Sequence, residues 1–182
     1  MKTRIAVVLS TSLFVIFPLS AQMADCPMHE QHMAASPKAD GSAEHGAGVD
    51  HRHDTLGVAH ETTHHSFRLF DDGAAIELHA NVASDETTVR AIRTHIQTIA
   101  EQFKANNFST PMFVHDKTPD GVDTMKQLHD RIEIRYESLS DGARIRMVTR
   151  DADALAALHQ FMRFQIVEHR TGDTGNIEKE VE

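Results

Sequence analysis

The stretch Phe67-Arg68-Leu69-Phe70-Asp71-Asp72-Gly73-Ala74-Ala75-Ile76-Glu77-Leu78 decides the fold. Phe67 and Leu69 alternate with Ser66 and Arg68, and beyond Asp72-Gly73 the residues Ile76 and Leu78 alternate with Glu77 and His79. Period-two alternation marks strands with one buried face, and Asp-Gly between two such runs is a hairpin signal. A two-residue Asp72-Gly73 loop sets Leu69 opposite Ile76 and Phe67 opposite Leu78, with Arg68 meeting Glu77 and Ser66 meeting His79 on the other face. The pattern then recurs. Ile134 and Tyr136 alternate with Arg135 and Glu137, Asp141-Gly142 turns the chain, and Ile145 and Met147 follow. That register pairs Tyr136 with Met147 and Glu137 with Arg146. Both hairpins thus place opposite charges across the polar face, as cross-strand energetics favour.

Each hairpin leads into a helical pattern. Ser84 or Asp85 can cap the first helix, whose stripe is Val89, Ile92, Ile96, Ile99 and Phe103. Asp151 can cap the second, with Leu155, Leu158, Phe161, Met162 and Ile166 inward. Side-chain oxygens at these positions accept from otherwise orphaned amides of the first turn. A short helix around Asp123–His129 is expected between them. The order ββα-connector-ββα predicts an α+β fold: a two-layer sandwich with a four-stranded antiparallel sheet and helices on one face.

The remaining chain is compositionally different. Met1–Ala21 begins with Lys2 and Arg4, continues apolar through Leu19 and ends in small residues, which is the form of a cleaved export signal. Its loss leaves 16 Lys+Arg against 27 Asp+Glu, a balance of −11 that argues against nucleic-acid binding. No membrane attachment is expected after cleavage, and the expected location is the periplasm or the medium. Residues 22–61 are rich in His, Met, Gly, Ala and Asp and poor in large aliphatics, and read as a disordered tether. The folded domain is expected over 62–173, with a disordered acidic tail at 174–182. A single cysteine excludes an internal disulfide and any all-cysteine metal site.

Fourteen histidines and eight methionines in 182 residues direct attention to metals. Cys26, Met28 and His29 bring thiolate, thioether and imidazole within four residues, and His32 and Met33 follow. Soft sulfur with imidazole suits copper and zinc, and methionine sulfur favours copper; nickel is a further candidate. His51 and His53 add an imidazole pair, and His60 and His64 complete the candidate metal ligands. A solvated polar tether would have a similar composition. His60-Glu61-Thr62-Thr63-His64 also matches the pattern of zinc hydrolases, whose chemistry requires both imidazoles on one face of a helix. Two threonines and an approaching strand oppose a helix there.

Other histidines invite structural readings. His95 and His159 fall on helices, His169 at a helix end can complement the dipole, and Met112, His115, Met125 and His129 lie in the connector. No Gly-rich phosphate loop and no nucleophile elbow is present.

Cys26-Pro27-Met28-His29 resembles the Cys-Pro-Met-His core of small heavy-metal-binding modules on bacterial efflux proteins, although Glu30 stands where those carry proline. Thr62-Thr63-His64-His65, Asp72-Gly73-Ala74-Ala75-Ile76-Glu77, Phe108-Ser109-Thr110-Pro111-Met112, Phe164-Gln165-Ile166 and Thr171-Gly172-Asp173 together resemble a family of small exported bacterial proteins. Many of that family are labelled aspartate carbamoyltransferase. The resemblance implies no such activity, because the Ser-Thr-Arg-Thr element of that transferase is absent and its architecture needs nearly twice this length. The expected function is an exported metal-binding or metal-buffering protein, without a catalytic residue. The alternatives are a periplasmic module binding a protein partner and the His60-Glu61-His64 zinc hydrolase.

Overall fold

A computed structural model of the chain describes residues 41–179, with side chains from Gly48 onward. Among these residues the order is α1 (Gly41–Asp54), β1 (Thr63–Phe70), β2 (Gly73–Ala80), α2 (Glu86–Lys104), α3 (Ser109–His115), α4 (Val122–Gln127), β3 (Ile132–Ser138), β4 (Gly142–Thr149), α5 (Ala152–His169) and β5 (Ile177–Glu178). The fold is α+β.

The sheet corrects the expectation of four antiparallel strands. It has five strands in the order β3-β4-β2-β1-β5, and β5 runs parallel to β1. The fifth strand comes from the stretch expected to be a disordered tail. Asp173 directs it: its carboxylate accepts from the Phe67 backbone N–H at 2.8 Å and from Ser66 Oγ at 3.2 Å. That aligns the chain so that Ile177 lies beside Leu69. Two residues carry too little periodicity to be seen as a strand.

Both hairpins differ from the expected register by two residues, in the same direction. Phe67 pairs with Ile76 and His64 with His79. Tyr136 pairs with Ile145, and Glu137 with Arg144. A shift of two preserves which face each side chain occupies while the partners change. The cause is the glycines. Gly73 and Gly142 are the first residues of β2 and β4, and neither has a positive φ. A Cβ on Gly73 would sit far inside van der Waals contact with the Met147 carbonyl oxygen, and one on Gly142 with the Leu78 carbonyl oxygen. Each glycine serves the close approach of β2 to β4 rather than a turn.

Ion pairs follow the observed register. Arg144 Nε donates to Glu137 at 2.6 Å, and Arg68 reaches Glu77 diagonally at 3.8 Å. Arg146 instead lies buried over the Phe70 ring, 4.5 Å from its centroid, and pairs with Asp72.

The helices start as their sequences require. Asp85 Oδ1 accepts from the amides of Thr87 and Thr88, and Asp151 Oδ1 from those of Asp153 and Ala154. α2 lies mainly over β3 and β4, and α5 over β1 and β2, so each helix covers the hairpin it did not follow. Between helices and sheet sits one core containing Leu69, Leu78, Ile92, Ile145, Leu158 and Phe161. On α5, Ala157 and Gln165 are buried whereas Leu155 is only partly so. Gln165 lines a pocket.

Residues 41–61 correct the expected tether. Gly41–Asp54 is helical, Val49 and Val58 are buried, and His53 is 5% exposed. α1 packs on α3 and α5. The expected signal at 1–21 and the remaining leader to residue 40 lie outside the described residues. Among the described residues no helix is long and apolar enough to cross a membrane.

Candidate metal-binding site: a pocket of imidazoles

Five elements each send one imidazole to the same place. His53 comes from α1, His65 from β1, His95 from α2, His115 from α3 and His169 from α5. They line a small cavity of about 50 Å³ whose remaining wall is largely apolar, including Phe67, Ile96, Phe103 and Phe161.

Local structure explains the convergence. His65 shares the helix-facing side of β1 with Thr63 and Phe67. On α2 the series Ile92, His95, Ile96, Ile99 places His95 within the apolar stripe, and on α5 His169 follows Phe161 and Gln165 at steps of four. Histidine in register with buried aliphatics was the available signal. Reading His95 and His169 as structural did not anticipate that they meet in one pocket.

The rings are close. His53 and His65 have centroids 4.5 Å apart, His65 and His169 4.7 Å, His53 and His95 5.3 Å, and His53 and His169 6.1 Å. Imidazoles bound to one tetrahedral ion at a metal–nitrogen distance of about 2.0–2.1 Å have centroids roughly 5 Å apart. Among the described residues no group of three His, Cys, Asp or Glu side chains already has its donor atoms set around one point. Coordination would therefore need rotation of these rings about their side-chain torsions.

Hydrogen bonding separates the five. His53 Nδ1 donates to the Val58 carbonyl at 3.2 Å, which fixes the tautomer and leaves the Nε2 lone pair for another partner. His115 Nε2 donates to Gln165 Oε1 at 2.8 Å, and its Nδ1 lies 3.7 Å from Glu168. Its ring is thus turned toward α5 side chains. Among the described residues, the rings of His65, His95 and His169 make no hydrogen bond to protein.

Burial keeps these rings neutral. Desolvation holds His65 and His169 well below the ordinary histidine range, each pushed further by a neighbouring imidazole. His95 is lowered to about 4 by burial and then by His53, and His53 is lowered by burial against the opposing Val58 hydrogen bond. Neutral imidazole is the form that donates a lone pair to a metal.

The other candidate ligands do not gather here. Cys26, Met28, His29, His32 and Met33 lie outside the described residues. His51 is exposed on α1 and cannot pair with His53, because residues two apart on a helix point in different directions. His60 is exposed in a turn, its Nδ1 donating to Asp54 at 2.9 Å. His64 lies on the helix-free face of β1, donates to Asn81 Oδ1 at 2.8 Å and stacks on His79. His60–Thr62 is a turn and Thr63 begins a strand, so the helical face a zinc hydrolase requires is not formed. His159 is structural, donating to the carbonyls of Phe70 and Gly73.

The helix-free face of the sheet is occupied by internal charge pairs. Glu77 is buried there among Arg68, His79 and Arg144, and its hydrogen bond raises the His79 pKa.

No protein-family model, no curated protein and no solved structure matches this chain. The two resemblances drawn from the sequence rest on the quoted residues alone.

Proposed function

We propose that the protein is an exported metal-binding protein that buffers a transition-metal cation, copper foremost, with zinc and nickel as the other candidates. The observation that supports this most is the convergence of His53, His65, His95 and His169 on one small pocket, the rings of the last three having no hydrogen-bond partner among the described residues. Their residues are partly buried, and a bound cation or water would satisfy the ring nitrogens that no side chain partners. All-nitrogen donors suit Cu(II), Zn(II) and Ni(II). The Cys26–Met33 segment adds sulfur, which suits Cu(I). The two donor sets would thus serve different oxidation states. His115, held by Gln165, is a positioning residue that packs edge-on against His169 at 5.0 Å. Export itself rests on the form of residues 1–21.

Metal titration of the chain from Gln22, compared with one beginning at Gly41, separates the two sets. The shorter chain should retain one tight site for Cu(II) and Zn(II), and Co(II) in it should show the intense visible bands of a four-coordinate nitrogen site. Exchanging His65 and His169 together for asparagine should weaken that site at least 100-fold, while Glu61→Gln leaves it unchanged. A shorter chain that is folded by circular dichroism yet takes up none of these ions would end the pocket reading.

A further inference from the structure

We infer that α1 is a latch closed by the cation: metal in the imidazole pocket fixes Gly41–Asp54 to the body, and metal loss releases that helix together with its ligand His53. The inference rests on the metal reading of the pocket and concerns how the same site is regulated.

Intrinsic helix stability contributes little to α1. Its sequence GSAEHGAGVDHRHD contains three glycines, and fourteen such residues are too few to be helical alone in water. From Gly48 onward its tertiary ties are few as well. Among its described side chains, Val49 is the buried aliphatic, and Val49 stands outside the main core that begins with Val58. Arg52 Nη1 donates to the Val114 carbonyl at 3.2 Å, and Arg52 pairs with the highly exposed Asp116 at 3.4 Å. Arg170 reaches Asp50 at 3.3 Å with its side chain half exposed. Exposed pairs of this kind hold weakly.

Among the described side chains of α1, His53 is the one that lines the pocket, while His65, His95 and His169 belong to the body. An ion shared between His53 and those rings is therefore a cross-link between two parts of the fold. Release would pivot at Gly57, whose φ is +88°, and break the bonds from His53 Nδ1 to the Val58 carbonyl and from the His60 N–H to Asp54. Because the core does not include Val49, release of α1 leaves the sheet and its two long helices intact. The same motion opens the pocket wall, which gives the cation a way in and out.

Linkage gives the size of the effect. A ligand that binds only the docked form favours docking by a factor of 1 + [L]/Kd, or about 100-fold when free ligand is 100 times Kd. Hydrogen exchange read by mass spectrometry, on the full chain with and without Zn(II), tests this alongside a zinc titration of the same sample. Amides of residues 49–56 should slow about 100-fold at that zinc concentration, while those of β2 and β4 stay unchanged. Trypsin should cut after Arg52 in the metal-free chain and not in the zinc-loaded one. In His53→Ala, the body imidazoles should still take zinc, more weakly, with no added protection of α1. Zinc bound in the pocket without slower exchange in α1 overturns the latch and leaves the metal reading standing. No zinc bound at all removes both.

Discussion

Gly73→Ala and Gly142→Ala each leave the domain unfolded or barely folded at 25 °C. A methyl group at either position must displace a backbone carbonyl of the adjacent central strand, Met147 for Gly73 and Leu78 for Gly142. Those carbonyls belong to β4 and β2, which are paired on both sides, so neither strand can move without breaking a second ladder. A side-chain clash is relieved by a rotamer change, but a backbone clash at a sheet centre is not. The expected loss is more than about 4 kcal/mol, in the range reserved for a few severe mechanisms. Domains of this size have about 5–15 kcal/mol in total. Gly57→Ala provides the contrast: φ is positive there but space is open, and a cost of about 1–2 kcal/mol is expected. Urea unfolding followed by circular dichroism ranks the three. A Gly73→Ala midpoint equal to that of the parent would refute the packing argument.

Stability should also fall steeply as pH drops from about 6.5 toward 4. His53, His65, His95 and His169 all have pKa values lowered in the folded state, with burial the first cause. In that window the unfolded chain binds protons that the folded chain does not, so stability rises with pH and is lost on acidification. His95 alone, moving from 6.5 to about 4, corresponds to about 3 kcal/mol at most. The two rings held well below the normal range act in the same direction. Groups facing them do not reverse the sign. Asp50 and Asp54 beside His53 only moderate its shift. On the other side of the sheet, His79 is raised by Glu77, so its contribution is present below the unfolded pKa and fades as pH rises. That term is smaller, because His79 is partly exposed. The lowered carboxylates Glu77 and Asp141 cost stability only at more acidic pH. Urea midpoints at pH 7.5, 5.5 and 4.5 read the slope, and His95→Gln should flatten part of it. Equal midpoints across that range would mean the rings are hydrated and charge freely.

Residue patterns carried the faces of the fold further than its pairings. Alternation placed Phe67, Leu69, Ile76, Leu78, Ile145 and Met147 on the buried side, and the structure buries all six. Asp85 and Asp151 cap helices as their positions imply. The register was misread because Asp-Gly is a turn signal only when glycine is needed for the turn. Here it is needed by a strand that is distant in sequence, and local pattern holds no information about that neighbour. α3 was missed for a related reason: seven residues with Pro111 in the first turn span too few periods to stand out. α1 runs against its own composition, and its order depends on surfaces supplied by α3 and α5.

The candidate site was legible by residue type and not by position. Abundant histidine pointed to metal, but density along the chain drew attention to His51, His60 and His64, which the fold keeps on the surface. The rings that meet are spread from His53 to His169, on five elements. Only His53 appeared in both sets. A titratable residue inside an apolar stripe, as at His95, was a better guide to this pocket than a cluster of neighbours in sequence.

The C-terminal segment has a protective role that follows from where it lies. β1 would otherwise present an outer edge of unpaired amides and carbonyls beside Phe67 and Leu69, the kind of border along which identical chains polymerise. Asp173 occupies the Phe67 amide, β5 covers Leu69 and Phe70, and Glu178 pairs with Arg68. At the opposite border, β3 carries Glu133, Arg135 and Glu137, whose charges repel a docking strand. Both margins of the sheet are therefore shielded from amyloid-like stacking, one by a covering ribbon and the other by charge.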